Sequence, residues 1–126
     1  MRRILYYIYY WLPPLVWMGI IYYMSSQQSV GMTHNKTGDF FVFKSLHMVE
    51  YAFLFFLLYR AFHTVTTRSM FWYAFSLATL YSVTDEFHQL YIATRQGGIR
   101  DVLFDVAGMI IMYGIIRKIR IVRTLL

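Results

Sequence analysis

The sequence predicts an all-α integral membrane protein, a bundle of four membrane-spanning helices with both termini on the cytoplasmic side. Three observations carry this. Apolar residues make up 59% of the 126 and charged residues only 14%, whereas a soluble domain carries about 25% charged residues. The apolar residues fall into four long runs separated by polar segments. The basic residues are shared unevenly between the two ends of those runs. A chain of this length predicts one domain, so residues 1–126 are read as a single membrane domain.

The first span is residues 4–24, 21 residues without a charge. As a helix it covers about 31 Å, enough for a hydrocarbon core of about 30 Å. Pro13-Pro14 lies inside it, where missing N–H donors predict a kink or a local unwinding. Arg2-Arg3 before an apolar run also suits a secretory signal, but no A-x-A site follows, so an uncleaved anchor is expected. Residues 27–39 are polar and read as a loop. The second span covers about residues 40–59, with Lys44, His47 and Glu50 in its first half. Residues 60–68 form a short connection rich in Thr and bounded by Arg60 and Arg68. The third span is about 70–90; its uncharged part, 70–84, covers only ~23 Å at helical rise, so Asp85 and Glu86 continue the helix toward an interface. Gly97-Gly98 marks a turn within residues 94–100. The fourth span is about 101–116, followed by Arg117, Lys118, Arg120 and Arg123.

Four spans place both termini on one side, and the positive-inside rule selects it. One side holds Arg2, Arg3, Arg60, Arg68, Arg117, Lys118, Arg120 and Arg123 and no acid. The other holds Lys36, Lys44, Arg95 and Arg100 with all six acids, Asp39, Glu50, Asp85, Glu86, Asp101 and Asp105. The first side is therefore cytoplasmic. The start of span two, the end of span three and the start of span four then share the outer depth. The chain's net charge of +6 also suits nucleic acid. The basic residues lie between apolar spans, however, and nucleic acid is excluded as a partner; the bilayer is the expected one. With no Cys, disulfides, thiolate metal sites and a Cys nucleophile are excluded.

Ionisable groups inside apolar spans cost about 2.5–3.5 kcal/mol each on insertion scales, and they usually face a bundle interior or a wet cavity. Helical spacing places Lys44, His47, Glu50 or Tyr51, and Leu54 on one face. Ser82, Asp85, Glu86 and Gln89 form a second stripe, with His88 three residues after Asp85. Asp101, Asp105 and Gly108 form a third. Gly108 permits close approach of a neighbouring backbone, and Asp101 at a helix start is favoured as a cap and by the dipole. Turned inward, the stripes of the last three helices make one polar pocket opening outward.

Within that pocket the candidate acid–base groups are Glu50, Glu86, His47 and Asp101. The candidate substrate-binding residues are Lys44, Tyr51, Asp85, His88, Gln89, Arg95, Arg100 and Asp105. Lys44, Arg95 and Arg100 suit a phosphate or carboxylate, Arg offering a planar fork; the plain alternative is pairing with Asp101, Asp85 or Glu86. Lys44, His47 and Glu50 equally suit a salt-bridged set that fixes helix register. A divalent metal on His47, Glu50, Glu86 and His88 was weighed, since His-x-x-Glu occurs in bundle sites. Repulsion by Lys44, Arg95 and Arg100 disfavours it, and no cofactor is expected.

At these residues the chain resembles the VanZ-like family of small bacterial membrane proteins. The matching elements are Lys44-x-x-His47-x-x-Glu50-Tyr51, then Asp85-Glu86-x-His88-Gln89, then Arg95, then Arg100-Asp101-x-x-x-Asp105-x-x-Gly108. They span residues 44–108, about half the chain. The sequence departs from the family pattern at Asp105, where many members carry Asn. The resemblance implies a multi-pass protein of the bacterial cell membrane in a Gram-positive-type envelope, with its site toward the extracytoplasmic face. It also implies a link to teicoplanin, a glycopeptide antibiotic. The expected partner is an envelope lipid, a lipid-linked cell-wall precursor or a glycopolymer, acted on or bound. A non-catalytic accessory or binding protein is the alternative, and a transporter ranks last because the ionisable groups gather on one side.

Overall fold

The computed structural model describes residues 2–27, 36–66, 68–92 and 98–119. It contains four helices, α1 (Arg2–Ser26), α2 (Lys36–His63), α3 (Met70–Gln89) and α4 (Ile99–Lys118), and no strand among the described residues. Most of the expected loop before span two, Arg95 with the turn around it, and Arg120 and Arg123 lie outside the described residues.

Two elements differ from the sequence expectation. The helix holding span two starts at Lys36 rather than near residue 40. Its polar first turn carries Asp39, whose charge the helix N-terminus favours. Helix α1 runs through Pro13-Pro14 without unwinding. The two prolines withhold donors from the carbonyls of Tyr9 and Tyr10, a loss that apolar helices absorb when neighbouring groups re-satisfy the backbone. Pro14 is buried, and the Arg60 guanidinium of α2 lies over the rings of Tyr9 and Tyr10, 4.7 and 4.5 Å from their centroids.

Contacts at the helix ends fix the topology. The start of α1 meets the end of α2 through Trp11 and Phe62, ring centroids 5.0 Å apart. The end of α1 meets the end of α3 through Ser26 Oγ and His88 Nε2 at 3.0 Å. The starts of α2 and α4 meet through Lys44 and Asp101. The four helices therefore run up, down, up and down. Helix α2 packs against all three others, whereas α1 makes no contact with α4 among the described residues. Two side chains pin α1 in place: Trp17 Nε1 donates to the Glu50 carbonyl at 3.0 Å, and Tyr81 Oη donates to the Met18 carbonyl at 2.6 Å.

The middle of the bundle is apolar, built from Tyr51, Leu54, Phe55 and Leu58 on α2 against Ala74 and Ala78 on α3 and Met109 and Ile116 on α4. The small Ala74 and Ala78, one turn apart, make room for the large side chains of α2. At Gly108 the α4 backbone runs so close to α2 that a Cβ there would collide with the Met48 carbonyl oxygen. The exterior is apolar as well. Helix α1 buries only Pro14, Ile21 and Ser25 and exposes Ile4, Leu5, Ile8, Leu12, Leu15 and Val16. Exposed apolar area on this scale marks a lipid- or partner-covered surface. Arg2–Ser26 and Phe41–His63 are each long and apolar enough to cross a membrane.

Candidate functional site

The three polar stripes meet at the end of the bundle where α2 and α4 begin and α3 ends. Helical periodicity delivers them there. On α2, His47, Tyr51 and Leu54 are buried at intervals of four and three residues. On α3, Ser82, Asp85, Glu86 and Gln89 are all buried. On α4, Asp101, Asp105 and Gly108 are buried on one face with Met109.

Asp105 sits deepest and is fully buried. Ser82 Oγ donates to its Oδ2 at 2.5 Å, and its Oδ1 faces His47 Nδ1 at 3.8 Å. Glu86 is held from the loop side, where the Gly98 backbone N–H donates to its Oε2 at 2.8 Å. Gln89 Nε2 donates to Asp85 Oδ2 at 3.1 Å and lies 3.4 Å from Ser25 Oγ. At the mouth, Lys44 and Asp101 form an ion pair with both side chains largely buried. Nearby groups of His47, Glu86 and Asp105 all lie within 4.8 Å of one another. Four buried carboxylates in an apolar bundle are costly unless each is paired or hydrogen-bonded. Ser82, Gly98, Gln89 and Lys44 each give one of them a donor, while Asp85 Oδ1, Glu86 Oε1 and Asp105 Oδ1 stay buried without a hydrogen bond among the described residues.

Not every candidate is buried in this centre. Glu50 is half-buried; of the two residues competing for the α2 face, Tyr51 is the one fully buried. His88 turns toward α1, bonded to Ser26 and packed on Tyr22 with centroids 4.7 Å apart. Arg100 is exposed in the first turn of α4. Asp101 does not cap its helix: the N-cap is Gly98, and the Asp101 carboxylate goes to Lys44 instead. Sequence reasoning missed the contribution of α1, whose Ser25 closes the site behind Gln89 and whose Ser26 holds His88 away from it. Paired hydroxyls ending an apolar run were the available signal. It also passed over Ser82 as a site residue, although Ser82 stood in the α3 stripe.

Beside the cluster runs an apolar cleft between α3 and α4. Val83, Phe87, Leu90, Ile99 and Val102 line it, and Glu86 forms part of its wall.

An apolar exterior around a buried polar centre, with two helices long and apolar enough to cross a membrane, suits a small helical membrane protein. The VanZ/LLP1 family model matches residues 10–123, nearly the whole chain, and the chain belongs to that family. No curated protein and no solved structure matches it.

Proposed function

We propose that this protein is a four-span membrane protein with both termini cytoplasmic, whose buried polar centre opens toward the extracytoplasmic face. There it binds or acts on a cell-envelope substrate carrying an acidic headgroup, and so affects susceptibility to glycopeptides such as teicoplanin. One observation carries the reading. Lys44, His47, Glu86, Asp101 and Asp105 converge from three helices at one end of an otherwise apolar bundle. The apolar cleft along Glu86 suits an acyl or polyprenyl chain whose headgroup enters the centre. Lys44 supplies a point charge for a phosphate or carboxylate, while His47 and Glu86 supply groups able to take or give a proton.

A second reading has its own support. The carboxylates are engaged within the protein, by Lys44, Ser82, Gly98 and Gln89. That degree of internal pairing suits a non-catalytic accessory protein that holds its ligand unchanged. Transport ranks below both, because the core beneath the cluster is apolar from Leu54 to Leu58 on α2 and at Met109 and Ile116 on α4.

The test is expression of wild type, Glu86→Gln and Asp101→Asn in a susceptible Gram-positive host at equal membrane levels. Wild type is expected to raise the teicoplanin concentration needed for inhibition several-fold, and both variants to lose that gain. Variants as effective as wild type would remove the centre from the function. Product formation from a labelled envelope lipid separates the catalytic reading from the accessory one. The orientation has an independent check, made clean by the absence of Cys. Gln27→Cys and Tyr91→Cys are expected to react with a membrane-impermeant maleimide on intact cells. Val65→Cys and Arg68→Cys are expected to react only after permeabilisation. The reverse pattern would turn the site to the cytosol.

A further inference from the structure

We infer that His47, Glu86 and Asp105 are the protein-side ligands of a divalent transition-metal ion held between α2, α3 and α4. The inference stands apart from the envelope reading, because it concerns binding of an ion in the absence of any substrate.

The arrangement of the two carboxylates is the first argument. Each uses one oxygen to be held in place and keeps the other clear. Glu86 Oε2 accepts the Gly98 N–H and Asp105 Oδ2 accepts the Ser82 hydroxyl. Glu86 Oε1 and Asp105 Oδ1 are buried and accept no hydrogen bond among the described residues. Ligating carboxylates are normally steadied in this way by outer donors on their second oxygen. Asp85 Oδ1 is bare as well, with its Oδ2 held by Gln89, so the centre as a whole holds more buried acceptor oxygens than donors, a costly arrangement for purely structural carboxylates in an apolar interior.

The spacing is the second argument. Asp105 Oδ1 and His47 Nδ1 are 3.8 Å apart, too far for a hydrogen bond. Two ligands each about 2.1 Å from one zinc ion lie roughly 3.4 Å apart at a tetrahedral angle and up to about 4.2 Å apart when opposed. Glu86 comes within the same 4.8 Å span of the other two. Small side-chain rotations bring all three onto one ion, and the three ligands come from three different helices.

Charge is the third. Repulsion by nearby cations stands against a metal in the sequence. In the structure Lys44 is tied to Asp101, and Arg100 is exposed. Arg95 lies outside the described residues, and among those described the inner centre is left with Glu86, Asp105 and the adjoining Asp85. One imidazole nitrogen with carboxylate oxygens suits zinc, manganese or iron(II) better than magnesium, which prefers oxygen alone. Three protein ligands leave coordination positions for water or a substrate oxygen.

The experiment uses full-length protein in detergent, stripped with a chelator and titrated calorimetrically with Zn²⁺, Mn²⁺ or Mg²⁺ alone. Wild type is expected to bind one Zn²⁺ or Mn²⁺ per chain, with Mg²⁺ much weaker, and to melt at a higher temperature when loaded. Glu86→Gln and Asp105→Asn keep shape and lose charge, and each should weaken binding at least tenfold. Ser82→Ala removes an outer donor and should weaken it about tenfold. His88→Gln, outside the trio, should bind as wild type does. Absence of saturable binding by folded wild type overturns the inference and leaves the two carboxylates held by protons. Undiminished binding in Glu86→Gln and Asp105→Asn overturns it equally, by placing the ion elsewhere. The wild-type titration decides even where a variant fails to fold.

Discussion

Substituting Leu for Gly108 is expected to unfold the α2–α4 contact, and Ala alone to lower stability by about 1–3 kcal/mol, the usual cost of overpacking. The obstacle is backbone. A Cβ at Gly108 collides with the Met48 carbonyl oxygen and lies 2.9 Å from Met48 Cγ. A flexible side chain can move aside, but a helix carbonyl moves only with its helix. The double variant Gly108→Ala with Met48→Ala therefore recovers little, since it removes Cγ and keeps the carbonyl. Gly114 gives a matched control on the same helix, with no atom within 4 Å of a Cβ built there. Gly114→Ala should be neutral or stabilising by up to about 1 kcal/mol, the helix-propensity difference. Thermal unfolding in detergent ranks the variants. Equal midpoints for Gly108→Ala and Gly114→Ala would sink the close-packing account. The same contact positions the site, because Met48 follows His47 and Gly108 lies three residues after Asp105. Pushing α4 away widens the gap between His47 and Asp105, so metal affinity should fall together with stability in Gly108→Ala.

How much of this was legible beforehand depended on whether a residue's role was set by its own helix or by a neighbour. The four helices were legible because long apolar runs separated by polar segments leave little else for the chain to do; two of them, Arg2–Ser26 and Phe41–His63, are long and apolar enough to cross a membrane. The faces at 47, 51 and 54 and at 101, 105 and 108 were legible because 3.6-residue periodicity is local. The choice between Glu50 and Tyr51 was not. The two are about 100° apart on a helix, and only the packing of the other helices around α2 leaves Tyr51 fully buried and Glu50 half-buried. Ser25 and Ser26 were overlooked for a related reason. Hydroxyls at the end of a span are ordinary interfacial residues until a partner such as His88 or Gln89 is seen beside them. Asp105 stood on the inward stripe of α4 as a binding candidate, but as a departure from the family pattern its role was undefined. Its depth became visible only when Ser82 of α3 and His47 of α2 were placed around it. The continuity of α1 through Pro13-Pro14 was likewise a matter of surroundings rather than of local propensity.

The Lys44–Asp101 pair offers the sharpest separation of structure from function. Both side chains are largely buried, 16% and 12% exposed, so the pair has surrendered most of its hydration. Removing one partner from such a pair costs about 3–5 kcal/mol, because the other charge remains buried. Residual exposure puts Lys44→Met near the lower end, at about 3 kcal/mol. Asp101→Asn should cost less, since the amide oxygen still accepts from the lysine. The double variant Lys44→Met with Asp101→Leu replaces both charges by apolar groups of similar size. Replacement of a buried pair in this way is commonly neutral or stabilising, so the double variant should melt near wild type although each single change lowers the midpoint. If the pair only locks the register of α2 against α4, this stable double variant keeps whatever effect on teicoplanin susceptibility the proposed function gives wild type. If Lys44 must be released to grip an anionic headgroup, the double variant is folded and inert. The proposed outward-facing centre predicts the second result: full membrane levels, an unfolding midpoint close to wild type, and no gain in resistance. An active double variant would leave Lys44 and Asp101 as a structural clamp and confine the chemistry to His47, Glu86 and Asp105 beneath it.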